Sequence, residues 1–359
     1  MSANTNNLSS TPQTIYVQHA IHPDSGDSFR AVAASTKSLK ASQKDFGVQC
    51  TQCQTKLEKP LKCAKVVVKY LNTVATCKGV WYCSKECQKK NWSTHKPACH
   101  EVERSSGVFK FIQMFGVNPV LMGLLKVAII FDCGLFENPR IGFDVPFMAR
   151  VDIAMEPSDV LDFVRLYFND KAVGDKLQGM LQVNTIIPWH PRTQIPLTPK
   201  RLQLWREARA KYNAEGLAKD PVGLVEFIGC SCAEDSKNSL TAELHIPAGV
   251  LDMARQREPF TFVSAVTGMQ FDKPMSAVTC LEYINVHIRA DKQNQLRLRA
   301  EMTEQDKEAI RAAGRNEHTF PARTLKQKME REHLYAGIME VIRETAKCEC
   351  ELFQLLVLY

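Results

Sequence analysis

The chain has 359 residues, of which 45% are hydrophobic and 24% are charged, and its formal net charge is +7. This apolar fraction can form a buried core, which excludes a wholly disordered chain, and the length fits one large domain with a small accessory domain. No run of 18 uncharged apolar residues occurs, so we expect no membrane-spanning helix. The closest stretch, Val120–Phe131, is interrupted by Lys126 and predicts a buried helix.

Residues 1–45 are rich in Ser, Thr, Asn and Gln and have no sustained hydrophobic period, which predicts a disordered N-terminal arm. The arm has neither the basic lead nor the apolar core of a signal peptide, which favours an intracellular protein of the nucleus or cytoplasm. Thiols stay reduced there, so the 13 cysteines need an explanation other than disulfides. Seven of them lie between positions 50 and 99, and they predict a metal-binding module over residues 46–103.

This module contains eight potential metal ligands, which are enough for two tetrahedral zinc sites. Thiolate and imidazole are the donors that zinc prefers. A segment of about 55 residues has little core of its own, so the metal must replace buried apolar area as the source of stability. Eight ligands leave no open coordination position, which argues against metal catalysis. The predicted ligands are Cys50, Cys53, Cys63, Cys77, Cys83, Cys87, His95 and Cys99.

The run YCSKECQKKNWSTHKPAC at Tyr82–Cys99, together with Cys50 and Cys53, resembles the MYND zinc finger. Family members with known partners bind short proline-containing peptides, which implies a protein partner and places Gln88 and Trp92 in the peptide groove. Trp92 has a second interpretation, as a packing residue that supports the helical turn. The resemblance also implies two crossed zinc sites, one formed by Cys50, Cys53, Cys83 and Cys87 and the other by Cys63, Cys77, His95 and Cys99.

The spacing of the second ligand set departs from the family pattern. The family has a two-residue spacer between its third and fourth ligands, whereas thirteen residues separate Cys63 from Cys77. Eleven of these, Val66–Thr76, form an insertion that is either a natural loop or an artefact of the gene model. The longer loop costs about 1.7 kcal/mol, whereas structural zinc contributes about 10–16 kcal/mol, so we expect the second site to bind.

Charge is concentrated in the same region. Between Lys37 and Lys96 there are 13 lysines, no arginine and three acidic residues, a net charge of +10. Such a segment is typical of nucleic-acid binding, but seven thiolates on two zinc ions would lower the charge to about +7. Lysines without arginine or interleaved aromatic residues indicate a solvated surface, and nucleic-acid contact is retained only as an alternative.

Residues 104–359 mix helical and strand patterns without regular βαβ alternation, so we expect an α+β fold. Capping residues predict helices that begin at Asn118-Pro119, Ser158 and Thr198-Pro199, with the first ending at Gly134 and the third at Gly216. Two later helices are predicted at Glu304–Ala313 and Arg323–Ala346. Strands are predicted at Ala149–Met155, Gly223–Ile228, Thr241–Ile246 and Phe260–Ser264. Two further strands, Tyr283–Arg289 and Gln295–Arg299, are predicted to form a hairpin.

We expect this larger domain to be a scaffold rather than an enzyme. SET-class methyltransferases that contain MYND fingers share a glycine-rich start and an Asn-His-Ser-Cys-type segment, but this sequence has neither a Gly-x-Gly spacing nor an Asn-His pair. Nucleotide-binding, zinc-protease and serine-hydrolase motifs are missing too, so no catalytic or cofactor-binding residue is predicted. The domain resembles uncharacterised regions attached to MYND fingers in fungi, which implies no function. A degenerate or SET-unrelated enzyme is the alternative.

Overall fold

The computed structural model describes residues 31, 34–35, 37–38, 50, 52–53, 61–62, 81–96, 105–169, 173–189, 196–229, 239–263 and 269–335. Most of the predicted N-terminal arm, the insertion at 66–76 and the end of the predicted helix at 323–346 lie outside these residues.

The described residues form a small N-terminal unit followed by a larger domain. In the first unit, β1 (Leu61–Lys62) pairs antiparallel with β2 (Trp81–Tyr82), and α1 (Lys85–His95) follows. The larger domain mixes helices and strands, which confirms the predicted α+β class. Its helices are α2 (Ser105–Val117), α3 (Pro119–Asp132), α4 (Val160–Tyr167), α5 (Pro199–Ala214), α6 (Ala248–Gln256), α7 (Ala277–Ala290), α8 (Glu304–Gly314) and α9 (Phe320–Arg331). Its strands are β3 (Met148–Pro157), β4 (Gln178–Trp189), β5 (Val222–Gly229), β6 (Ser239–His245), β7 (Phe260–Val263), β8 (Gln270–Lys273) and β9 (Arg299–Glu301).

Five of these strands form one mixed sheet in the order β6-β5-β3-β4-β9. Strands β3 and β5 are parallel, and the other neighbours are antiparallel. Strands β7 and β8 form a separate antiparallel hairpin. The central strands β3 and β5 are buried along most of their length, because helices cover both faces of the sheet.

Two apolar clusters lie on opposite faces of this sheet. On one face, Val151 and Ile153 of β3 join a core that includes Leu125 of α3 and Ile284 of α7. On the other face, α4, α8 and α9 form a second core around residues such as Leu325. Strand side chains alternate between faces, so the two helix layers contact different residues of the same strand.

The predicted caps explain where several helices begin and end. The Asn118 side chain accepts hydrogen bonds from the backbone N–H groups of Val120 and Leu121, both at 3.1 Å, and opens α3 as predicted. Gly134 and Gly216 follow α3 and α5 with φ of 62° and 82°, a left-handed conformation in which glycine is unstrained. Helix α3 is buried over most of Val120–Phe131, which confirms that part of the prediction.

Helix α4 begins one residue later than predicted. The capping side chain is Asp159, which accepts from the Leu161 N–H at 2.7 Å, rather than Ser158. Both residue types are good N-caps, and the sequence alone does not choose between two adjacent candidates.

The predicted hairpin of Tyr283–Arg289 and Gln295–Arg299 is wrong. The first segment belongs to α7, which begins with a capping box between Ser276 and Thr279, and only Arg299 of the second segment lies in a strand. Apolar and polar residues alternate over 284–289, which mimics a strand. The alternation arises because α7 buries polar side chains as well as apolar ones. The helical period is visible only when the preceding turn is included, in the buried positions Ala277, Cys280, Leu281, Ile284 and Ile288.

Within the described ranges, no single helix has both the length and the apolar character needed to cross a bilayer. One pair, Lys110–Val117 and Pro119–Asp132, meets that test when taken together, and the two segments meet at an angle of 90°.

Candidate metal centre

The four cysteines that the resemblance assigns to one ion come from two parts of the finger: one pair precedes β1, and the other pair lies at the junction of β2 and α1. Cys83 directly follows β2, and Cys87 lies in the first turn of α1. Ser84 caps this helix by accepting a hydrogen bond from the Cys87 N–H at 3.2 Å. This cap fixes the turn between the two cysteines, so the chain itself holds both thiols on one side.

Cys50 and Cys53 approach this turn, and the four sulfurs lie within 4.8 Å of one another. Cys83 Sγ is 3.6 Å from Cys53 Sγ and 3.4 Å from Cys87 Sγ. Four thiolates bound to one zinc ion at about 2.3 Å in a tetrahedron have sulfurs about 3.8 Å apart. The residues present therefore fit a four-cysteine zinc site in both chemistry and spacing.

Backbone groups prepare this site for negative charge. Burial raises the pKa of the Cys50 thiol, but hydrogen bonds from the backbone N–H groups of Cys53, Cys83 and Gln52 outweigh it and lower that pKa to about 6. Hydrogen bonds with the Cys87 and Cys53 thiols favour the neutral, donating form of Cys83 and raise its pKa to about 12, and repulsion from the negative charge of Cys50 raises it further. A divalent cation that deprotonates all four thiols would remove this repulsion.

The structure describes the side chains of only four of the eight predicted ligands. It brings Cys50, Cys53, Cys83 and Cys87 together, the same four that the resemblance assigns to one ion. Cys63, Cys77 and Cys99 lie outside the described residues, and His95 is described only in its backbone, as the last residue of α1. The second predicted site stays a prediction.

Gln88 and Trp92, the predicted groove residues, are both half-buried on α1 and lie one turn apart. Sequence reasoning missed Asn91, which accepts a hydrogen bond at 2.9 Å from the hydroxyl of the fully buried Tyr82. This bond ties β2 to α1 beside the cysteine set. The sequence signal for this bond is Tyr82 itself, since a tyrosine beside the cysteine ligands is a candidate for burial and a buried hydroxyl usually requires a polar partner.

Comparison with family models identifies both parts of the chain. A MYND finger matches residues 50–99, and a domain of unknown function (DUF8205) matches residues 104–335, about two thirds of the chain. This chain belongs to the DUF8205 family. Searches of curated proteins and of solved structures give no match. The MYND finger and its cysteine cluster indicate a zinc-binding module of the kind that mediates protein interactions.

The DUF8205 domain contains a buried group of charged side chains that sequence reasoning missed. Lys328 of α9 donates a hydrogen bond to Glu156 of β3, and their side chains are 1% and 2% exposed. Burial raises the pKa of Glu156, but the charges of Lys328 and Arg289 outweigh it and lower that pKa below its usual range. We call this group the Glu156 cluster, and it consists of Glu156, Arg289, Lys328, Glu332 and Tyr335.

The Glu156 cluster joins three elements of the domain. The Tyr335 hydroxyl donates to Glu156 Oε2 at 2.5 Å, and Arg289 Nη2 of α7 donates to Glu332 Oε2 at 2.7 Å and to the Tyr335 oxygen at 3.0 Å. Asn285 of α7 extends the network to β4, because its side chain donates to Glu332 Oε1 and bonds both backbone groups of Val183 at 2.8 Å. The cluster therefore fixes α7 and α9 against β3 and β4.

Asp152, four residues before Glu156 on β3, is fully buried. Its Oδ2 accepts a hydrogen bond from Asn184 Nδ2 at 3.1 Å. Burial raises the pKa of Asp152 to about 7, and the hydrogen bonds of Asn184 and Thr324 and the charge of Lys328 oppose burial only in part. Asp152 is therefore neutral in the folded domain over much of the range in which an unfolded aspartate is charged.

Asp152→Asn is expected to change how the stability of the domain depends on pH. The folded pKa lies above the unfolded value, so the wild-type chain loses stability as pH rises, by about 3 kcal/mol between pH 5 and 8. Asparagine cannot ionise, so the variant does not undergo this loss. Its free energy of unfolding relative to the wild type should therefore be about 3 kcal/mol more favourable at pH 8 than at pH 5. Urea unfolding at several pH values measures the difference.

Asp144→Asn is the matched control, because the Asp144 side chain is 70% exposed. Between pH 5 and 8 we expect its stability difference from the wild type to stay constant, because an exposed aspartate is ionised throughout this interval in both the folded and the unfolded chain. A constant difference for Asp152→Asn as well would show that Asp152 is ionised in the folded chain.

Proposed function

We propose that this chain is a zinc-dependent protein-interaction factor. Its MYND finger holds two zinc ions and recruits a segment of a protein partner, and its DUF8205 domain is the scaffold that carries the finger. The observation that supports this most directly is the approach of four cysteine sulfurs to tetrahedral spacing in a finger whose family mediates protein interactions.

The second zinc ion is bound by Cys63, Cys77, His95 and Cys99 in this proposal. His95 lies at the end of α1, two turns after Cys87, so one helix links both sites. Because α1 carries Cys87 of the first site and His95 of the second, each ion stabilises the helix that holds a ligand of the other ion. Elemental analysis of the purified full chain is expected to give two zinc ions per chain, and one ion per chain would show that the insertion at 66–76 defeats the second site.

The finger binds its partner and does not catalyse a reaction. Catalytic zinc sites keep three protein ligands and an open position for water or substrate, whereas the four-cysteine set supplies four ligands to one ion. When bound, the metal supplies folding free energy to a segment with little apolar core. The chemistry of the site is therefore structural, and recognition is left to the surface of α1.

The proposed binding surface is the part of α1 around Gln88 and Trp92. Both side chains are half-buried, so each offers an exposed edge while packing against the finger. Tryptophan is enriched among the residues that dominate binding energy at interfaces, and the Gln88 amide can bond the backbone of an extended peptide. A proline-containing peptide is the proposed ligand, since proline cannot donate a backbone hydrogen bond and pre-orders an extended segment.

Panning a phage-displayed random peptide library on the zinc-loaded full chain tests this function. We expect enriched peptides to contain proline, to lose binding after chelation, and to bind Trp92→Ala at least about tenfold more weakly. Thr94→Ala is the control, because Thr94 is exposed on another side of the same helix and should leave binding unchanged. Zinc content equal to wild type confirms that Trp92→Ala still folds.

The function would be refuted if no peptide were enriched, or if binding survived complete removal of zinc. Retained binding in Trp92→Ala with normal zinc content would instead assign Trp92 to packing, the second interpretation of this residue.

A further inference from the structure

One stripe of α1 combines the proposed aromatic contact with three positive charges. Lys85, Lys89, Trp92 and Lys96 occupy positions i, i+4, i+7 and i+11, a spacing that places side chains along one face of a helix. Lys96 lies just beyond α1 and continues the helical conformation, with φ of −50° and ψ of −45°. All three lysines are exposed. We call these four residues the basic stripe.

The basic stripe lies on the opposite side of α1 from the cysteine set. Cys87 and Asn91, which contact the interior of the finger, are rotated by roughly half a turn from it. The acidic residue of the first turn, Glu86, is rotated by about 100° from Lys85 and by about 60° from Lys89, and the charges of both lysines act on its carboxylate. Glu86 lies beside the stripe rather than in it, and among the residues that the structure describes no carboxylate oxygen lies within 4.0 Å of a stripe lysine nitrogen.

We propose that the finger recognises an acidic protein segment, in which aspartate or glutamate residues flank an apolar anchor. This inference rests on the proposed function and names the chemistry of the partner. Trp92 contacts the anchor, and Lys85, Lys89 and Lys96 attract the flanking carboxylates. Charged groups beside an apolar contact select among partners and speed association, which suits a surface with one aromatic residue and lysines along the same helix face on both sides of it.

The same lysines could attract phosphates, but the composition of the stripe favours carboxylates of a protein. It has no arginine, the side chain that binds phosphate and guanine in a bidentate manner. It also has a single aromatic residue, whereas surfaces for single-stranded nucleic acid stack successive bases on several. Its length, about 16 Å from Lys85 to Lys96, matches a peptide of a few extended residues.

The test compares two charge variants with the same change in net charge. Lys85→Gln/Lys89→Gln/Lys96→Gln removes the charges of the basic stripe, and Lys90→Gln/Lys219→Gln/Lys292→Gln removes three charges elsewhere. The random peptide library is panned on both variants and on the wild type, each as the zinc-loaded full chain with its zinc content measured. Oligothymidylate serves as the nucleic-acid probe.

We expect the wild type and the control triple variant to enrich peptides rich in aspartate and glutamate, and the stripe variant to lose this bias. An enriched acidic peptide should bind the stripe variant about tenfold more weakly than the wild type, with a smaller dependence on salt. Replacement of its acidic residues by their amides should weaken binding to the wild type by a similar factor.

Peptides without acidic residues that bind all three proteins equally would overturn this inference and leave the proposed function intact. Failure of every protein to enrich a zinc-dependent peptide would contradict both. Binding of oligothymidylate that requires the stripe lysines, with no acidic peptide selected, would assign the surface to nucleic acid and overturn the inference as well.

Discussion

Replacing Cys83 by serine is expected to remove one zinc ion per chain and to unfold the finger around it. Cys83 Sγ lies centrally in the cysteine set, at 3.6 Å from Cys53 Sγ and 3.4 Å from Cys87 Sγ. A hydroxyl is a poor zinc donor, and three remaining thiolates cannot complete the tetrahedron. Structural zinc contributes about 10–16 kcal/mol, more than the finger can recover from its small apolar core.

Elemental analysis and a zinc-release assay with a metallochromic chelator measure this effect. Cys280→Ala is the matched control, because Cys280 is a free cysteine buried in the DUF8205 domain and far from the finger in sequence. We expect the control to keep the zinc content of the wild type. A Cys83→Ser chain that held as much zinc as the wild type, and released it as slowly, would exclude Cys83 from the metal centre.

Lys328→Met is expected to destabilise the DUF8205 domain by about 3–5 kcal/mol, the cost of leaving one partner of a buried ion pair uncompensated. Lys328 is fully buried, and its ammonium group donates to Glu156 and, at 3.2 Å, to Gln182 Oε1. Methionine fills a similar volume but leaves the Glu156 carboxylate with Tyr335 and the more distant Arg289 as its partners. Urea unfolding at neutral pH measures the loss.

Two further variants show whether charge or packing causes this loss. Lys326 lies on another side of the same helix, where its hydrogen bond is to Asn316 at the protein surface. Lys326→Met should therefore lower the free energy of unfolding by less than about 1 kcal/mol. Adding Glu156→Gln to Lys328→Met removes the unpaired charge and should restore part of the stability. A Lys328→Met loss no larger than that of Lys326→Met would show that the ion pair contributes nothing.

Local sequence signals predicted the features of this chain that depend on neighbouring residues. Asn118-Pro119 and Gly134 bracket α3 because a helix cap is a contact between residues two or three positions apart. The spacing of Cys83 and Cys87 likewise reflects one helical turn. The class of the fold and the module that binds metal could therefore be predicted from the sequence.

Features that depend on distant contacts could not be predicted in this way. Glu156 and Lys328 are 172 positions apart, and no periodic pattern connects them. One signal was available, since Asp152 and Glu156 place two carboxylates on an otherwise largely apolar strand. The strand pattern at Tyr283–Arg289 within α7 has a related cause, because the side chains of Asn285 and Arg289 are paired across the domain and hide the apolar period of the helix.

In the proposed function, zinc rather than an apolar core holds the finger in its folded form. Hydrogen–deuterium exchange of the full chain before and after complete chelation tests this most directly. We predict that the amides of residues 81–96 lose their protection once zinc is removed, while those of β3, β4 and β5 in the DUF8205 domain keep theirs. Unchanged protection of residues 81–96 in the metal-free chain would show that the finger stays folded without zinc.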